Sequence, residues 1–282
     1  MKKIIIVFVL AAFGLPVTIE AQTVLDGIYV KENVQTRRMI PYTYLREADV
    51  MWSKRIWRVI DLNEKMNLAL RYPLSETTSD RKNLIDLLMH SVNEGSLTAY
   101  STLDDEFTLP MTSEEIEKIG NSGVDTTWVT EPDPPYETKM VVVEREFSYD
   151  KIIAFRIKEE WFFDKERSVM DVRIIGIAPM MYSEDEFGNV REGAIKVPIF
   201  WIYYPEARKI LANNEVFNRH NDAERLSFDD VFQKRLFSSY IFKESNVFDR
   251  RIESYKQGIN ALLEAERIKN EIFEMEHDLW EY

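Results

Sequence analysis

Two long stretches of alternating side chains, joined end to end, constrain the fold more than any other feature of this chain. In the first, Ile153, Phe155, Ile157, Glu159, Trp161 and Phe163 share one parity, and Arg156, Lys158, Glu160 and Asp164 share the other. Successive side chains of an extended strand point to opposite faces, so the pattern reads as a half-buried strand. Residues 164–167 read as a turn into a partner strand with Met170, Val172 and Ile174 on one parity. A strand expected at 140–147 precedes the pair and another at 199–204 follows it. The centre of the chain therefore reads as an antiparallel meander.

The flanks read as helical. Pro41 marks a start, and Met51, Trp52, Ile56, Val59 and Ile60 recur at helical spacing, which predicts a helix over 45–70 closed by Pro73. Leu84, Leu87, Leu88 and Val92 predict a second over 80–93, with Gly95 as its stop. A short strand is expected at 97–102. Thr112 and Glu115 have capping-box spacing and predict a brief helix ending at Gly120. Gly120, Gly123, Pro132, Pro134 and Pro135 then mark 120–138 as a long acidic loop and a candidate subdomain boundary. After the meander, Pro205 opens a helix to 213, and Ser227 with Asp230 caps another around 231–236. A last strand is expected at 240–242. A long amphipathic helix over 255–280 carries Ile259, Leu262, Leu263, Ile268, Ile272, Met275 and Leu279. The expected fold class is α+β, with N-terminal helices, a central antiparallel β-meander and C-terminal helices.

Residues 1–21 read as a secretory signal peptide: Lys2 and Lys3, an apolar run over 4–15, a break at Pro16 and a small residue at Ala21. The run is shorter than the roughly 20 residues of a membrane-spanning helix. An extended arm over 22–43 and a body over 44–282 follow, expected outside the cytoplasm with no direct membrane anchor. The chain contains no cysteine. That excludes disulfides, thiolate metal sites, cysteine nucleophiles and a lipid-modified N-terminal cysteine. The formal net charge of −13 disfavours nucleic acid and anionic membrane surfaces as partners.

No motif carries catalysis. GxSxG, GxGxxG, HExxH and the phosphate loop GxxxxGK[ST] are all missing. His90 and Glu94 lie one helical turn apart, but two ligands do not make a metal site, and they read as a partly exposed pair. His220 with Asp222 reads the same way. SEDEFGN at 183–189 lacks calcium-loop spacing and reads as a hairpin loop. Glu159, on an apolar parity beside Glu160, reads as an ion pair with an arginine or a strand end reaching solvent; a carboxyl with a raised pKa is the alternative. Catalytic, cofactor-binding and metal-binding residues are therefore expected to be none. Trp52, Arg55, Trp57 and Arg58 on one element, and Trp201 and Tyr203 on another, are of the types enriched in protein–protein hot spots. Alternation places Trp201 and Tyr203 on one face and Phe200 and Ile202 on the other, so both faces can be covered. An ordinary core is the plainer reading of each residue singly.

Three blocks, PYTYLREADVMWSKRIWRVIDL at 41–62, EEWFFDKERSVMDVRIIGIAPM at 159–180 and FWIYYPEAR at 200–208, resemble the GldN/PorN family of gliding-motility and type IX secretion proteins. The resemblance implies a periplasmic, non-enzymatic structural component. It implies assembly into a ring with an outer-membrane lipoprotein of the GldK/PorK type, and contact with the periplasmic part of a GldM/PorM-type motor protein. It supplies no catalytic residues. Two other classes remain open from the residues: a secreted hydrolase acting on envelope glycans through a carboxylate pair, and a periplasmic chaperone or binding module.

Overall fold

The computed structural model describes residues 37–74, 82–120, 124–130, 138–144, 149–184, 189–190, 193–218, 221 and 223–279, with backbone alone for 120, 124–130 and 138–144. The expected signal peptide, most of the expected arm, and His220 with Asp222 lie outside these residues. Ten strands are described: β1 (Val50–Asp61), β2 (Ala99–Tyr100), β3 (Pro110–Met111), β4 (Val124–Thr130), β5 (Thr138–Glu144), β6 (Ile152–Asp164), β7 (Val169–Tyr182), β8 (Lys196–Pro198), β9 (Trp201–Tyr203) and β10 (Tyr240–Glu244). Six helices accompany them: α1 (Leu68–Arg71), α2 (Leu84–Asn93), α3 (Ser113–Gly120), α4 (Tyr204–Asn213), α5 (Phe228–Gln233) and α6 (Ile259–Asp278). The fold is α+β, as the patterning predicts.

β6, β7 and β9 of the expected meander lie in the middle of a larger antiparallel sheet in the order β10-β1-β6-β7-β9-β2-β3, with β8 also paired to β7, whereas the strand expected at 140–147 is β5, which pairs with β4 in a separate two-stranded sheet. β6 and β7 pair along their whole lengths, from Ile152↔Met181 to Asp164↔Val169. Their turn is fixed by Asp164, whose Oδ1 accepts from the Glu166 and Arg167 backbone N–H groups at 3.0 and 3.4 Å.

Two further expectations are corrected. The segment expected as one helix over 45–70 has β1 at its centre, which pairs with β6 on one edge and β10 on the other, and is α-helical only from Leu68 in α1. Val50, Trp52, Ile56, Trp57, Val59 and Ile60 are β-branched or aromatic and suit a pleated surface, and a strand between two neighbours satisfies its backbone on both sides. The expected loop over 120–138 contains β4, paired in unbroken register with β5 from Val124↔Glu144 to Thr130↔Thr138.

The helices form where local chemistry favours them. α2 begins at Asn83, whose side chain accepts from the Asp86 N–H at 2.7 Å, and gives way to Gly95 at φ +72°, a backbone setting that costs glycine little. At α3 the Thr112 N–H donates to Glu115 and the Glu115 N–H donates back to Thr112 Oγ1, at 2.9 and 3.4 Å. α4 has Pro205 in its first turn. Ser227 and Asp230 form a reciprocal capping box on α5, which starts three residues before the expected 231.

α2, α4 and α5 bury their apolar sides on one face of the sheet. Leu84, Leu88, Leu211, Phe228 and Phe232 pack there with Phe155, Ile157, Ile177 and Ile202. Each such side chain contributes about 1.5–3 kcal/mol on burial. α6 makes a separate cluster, setting Ile268 and Ile272 against Ile56, Ile241 and Ile252.

Candidate interaction surface

The other face of the sheet carries the charged parity of β6, and its register builds a row across five strands. Trp57 stands opposite Lys243 on one side and Lys158 on the other; Lys158 stands opposite Gly176, and Gly176 opposite Tyr203. Above this row lies the 101–109 loop. Phe107, at φ +59°, sets its ring edge-on to Tyr100, Trp201 and Tyr203 with centroids 5.6, 6.1 and 5.6 Å away. A Cβ added to Gly176 would sit 2.4 Å from Phe107 Cζ, so the ring occupies the space that glycine leaves.

Asp105 fixes the loop through charge. Trp57 Nε1 donates to Asp105 Oδ2 at 2.6 Å. Lys158 Nζ donates to the Asp105 carbonyl at 2.5 Å and lies 3.4 Å from its carboxylate. Burial pushes the Lys158 ammonium pKa down, and Asp105 opposes that shift. Lys243 Nζ lies 4.4 Å above the Trp57 ring, and the Arg156 guanidinium 4.5 Å above Phe242, both within cation–π range. Burial holds Arg156 at about 10, and its Nε is enclosed without a hydrogen-bond partner. The expectation of a half-buried β6 is thus corrected. Arg156 and Lys158 are only 9% and 3% exposed, because the loop and its aromatic neighbours cover the charged parity.

The described end of the arm, 37–43, docks beside this face. Tyr42 lies between two guanidinium groups, Arg208 at 4.1 Å and Arg173 at 5.0 Å, and its hydroxyl accepts from Gln233 at 3.0 Å. Arg208 donates to the Ile40 carbonyl at 2.7 Å, and Arg173 to the Thr43 carbonyl at 2.6 Å. Arg208 is itself anchored by two bonds to Asp229, at 3.0 and 3.1 Å, and Asp229 also accepts from the Tyr204 hydroxyl. Burial works against the Arg208 charge, but Asp229 raises its pKa overall. Tyr42, Ser53, Glu160, Phe162, Arg173 and Tyr203 line a cleft of about 410 Å³ between arm and sheet.

The six residues expected as an interface do not all meet. Trp57 and Trp201 are buried beneath the loop, Tyr203 stands at the cleft rim, and Arg55 lies on the same face 3.6 Å from Glu160. Trp52 and Arg58 belong to the opposite face of β1. Trp52 packs on the α6 cluster, and Arg58 is buried with Ser239 at 3.1 Å and Glu159 at 3.4 Å. Reading β1 as a helix put all four of its residues together; a strand's alternation divides them. Lys158 was visible as a cation on the polar parity of β6, whereas Asp105, Phe107, Tyr42 and Lys243 carry no local signal of their part in this surface.

The carboxylates considered for hydrolysis are also placed. Glu159 is fully buried, with Oε1 and Oε2 at 2.9 and 3.2 Å from the two terminal nitrogens of Arg235 and a further bond from Trp161 Nε1 at 3.2 Å. It is an ion-paired structural residue. On β1 its neighbour is Ile56, whereas Glu160 neighbours Arg55, so the two acids take opposite faces. A glycosidase needs two carboxylates facing each other across a cleft, and Glu159 with Glu160 cannot supply them. His90 and Glu94 pair at 3.0 Å on the exposed side of α2. Among the described residues no group of three histidines or acids could hold a metal ion, and no helix is long and apolar enough to cross a membrane.

A family model described as gliding motility associated protein GldN matches residues 45–281. Among curated proteins none matches the chain.

Proposed function

The chain belongs to the GldN family, structural components of gliding motility and type IX secretion in the cell envelope, and from that premise we propose that it is a non-enzymatic adaptor. It assembles with copies of itself into a periplasmic ring, held to the outer membrane by a lipoprotein of the GldK/PorK type, and it contacts the periplasmic part of a GldM/PorM-type motor. A subunit in a closed ring meets its neighbours through two different faces and needs a third for its anchor. What supports this reading is the covered cation–aromatic face with its docked arm: Lys158 holds the Asp105 loop over an aromatic row, which builds a broad packed surface beside the arm. Tyr203 and Arg55 stand at the accessible rim of that surface, and Trp57 and Trp201 are buried in the packing that supports it.

The test is affinity purification of the tagged chain from gently solubilised envelopes, followed by electron microscopy. Ring-shaped particles containing the lipoprotein are expected. A chain that elutes alone as a monomer, with no lipoprotein, contradicts the proposal.

A further inference from the structure

Helix α6 has apolar residues on two opposite sides, and the fold uses only one of them. Ala265, Ile268 and Ile272 are buried against β1 and β10. At about 100° per residue, Ile259, Leu262 and Leu263 project from the reverse side in the first turns and Phe273 from the same side about 15 Å further on, with the exposed Glu266 and Asn270 between them. They are 76%, 60%, 62% and 66% exposed. A surface helix ordinarily has one apolar stripe, facing its own core. The fold leaves these outward apolar side chains unused, and exposed apolar groups of this size mark sites where a partner binds.

The charges say what fits it. α6 carries Glu264, Glu266, Glu271, Glu274, Glu276 and Asp278 against Arg267 and Lys269. Both bases are already engaged: Arg267 bonds Glu264 at 2.7 Å and also pairs with Glu271, and Lys269 lies 3.1 Å from Glu266. Glu274, Glu276 and Asp278 make no ion pair with a described residue, and they crowd the last turns, where the helix dipole already favours cations. Two copies meeting through this stripe would set like charges against each other, and an anionic membrane surface would be repelled in the same way.

We infer that the outer stripe of α6 docks an amphipathic helix of a different protein, apolar along one side and bearing Lys or Arg along its margins, with those bases meeting the carboxylates beyond Phe273. The inference deepens the adaptor reading by assigning one face to a non-self partner, and it rests on that reading only in requiring such a partner in the envelope.

The test places a photo-crosslinking amino acid at Leu263 or Phe273 of the full chain in its native envelope, with the exposed Glu94 beyond the end of α2 as a control position. The crosslinked peptides are then sequenced. Expected are crosslinks from both α6 positions, and not from Glu94, to one non-self protein, at a segment with apolar residues three and four apart and flanking Lys or Arg. From a probe at Leu263, Phe273→Glu should cut the yield about tenfold or more with an unchanged Tm, and Glu274→Lys with Glu276→Lys should also lower it. Crosslinks only to a second copy of the chain, no protein crosslink from either position, or Phe273-dependent flotation of the purified chain on phosphatidylglycerol vesicles would each overturn the inference. If α6 gives no crosslink while the chain still purifies with the lipoprotein, the docking inference fails and the adaptor reading stands. If neither is found, both fail.

Discussion

Removing the Glu159 carboxylate should strike the stability of the whole sheet, and the expected size follows from its surroundings. Glu159 is fully enclosed, grips Arg235 with both oxygens at 2.9 and 3.2 Å, and lies 3.4 Å from Arg58, which is itself buried. Burial already pushes the Arg58 pKa down, and Glu159 is the strongest group holding its charge in place. Glu159→Ala leaves that guanidinium without its counter-ion, a change that costs about 3–5 kcal/mol. For a chain of this size that is a fall in Tm of about 6–20 °C. Glu160→Ala, on the opposite face and 3.6 Å from the partly exposed Arg55, should shift stability by less than about 0.5–1 kcal/mol. Thermal and urea unfolding of the chain, followed by circular dichroism, measures both. Replacing Glu159 together with Arg58 and Arg235 by apolar residues of similar volume should recover much of the loss, since a buried ion pair and a packed apolar group are often equivalent. A Glu159→Ala variant within about 1 kcal/mol of the parent would refute the reasoning.

Gly176→Ala should cost about 1–3 kcal/mol by forcing Phe107 off the sheet, seen as a red shift of tryptophan emission, and the same change should be nearly silent in a Phe107→Ala background. Tyr42→Ala removes the ring between Arg208 and Arg173, so trypsin should cut after Arg37 or Arg38 about tenfold faster with little change in Tm; unchanged cleavage would count against the docked arm. Glu264 is held at about 2 by hydrogen bonds from Arg267 and Lys256, below the ordinary carboxylate value, so its contribution is present at neutral pH and is lost as pH falls through about 4 toward 2. Glu264→Gln should therefore be less stable than the parent by about 1–2 kcal/mol at pH 7, with the gap closing on acidification in matched urea titrations.

The legible parts of the fold were those written locally. The β6–β7 hairpin shows in the sequence because its alternation and its turn residue, Asp164, sit within a few residues of one another. The caps at Thr112 and Ser227 show for the same reason. β1 did not, because both of its faces are covered: Trp57 and Val59 are buried on one side, Ile56 and Ile60 on the other. With both parities apolar the period of two vanishes, and residues 52, 56, 59 and 60 mimic a helical stripe. α6 was legible as a helix, yet its two stripes merged into one amphipathic pattern; only the packing of Ile268 and Ile272 separates the inner from the outer. The covered face was illegible because its bonds are long-range. Asp105 meets Trp57 across 48 residues, and Gly176 is required by a phenylalanine 69 positions earlier, from 176 − 107. Of the six interface residues expected from composition, Arg55, Trp57, Trp201 and Tyr203 share that face, and the strand's alternation sends Trp52 and Arg58 to the other.

The measurement that bears most directly on the adaptor account is chemical crosslinking of the chain in intact cells, with mass spectrometry of its partners. The account predicts three classes of crosslink from separate faces: to a neighbouring copy, to an outer-membrane lipoprotein and to the periplasmic domain of the motor. Recovery of the chain only as an uncrosslinked monomer, while known envelope complexes in the same cells crosslink normally, would contradict it.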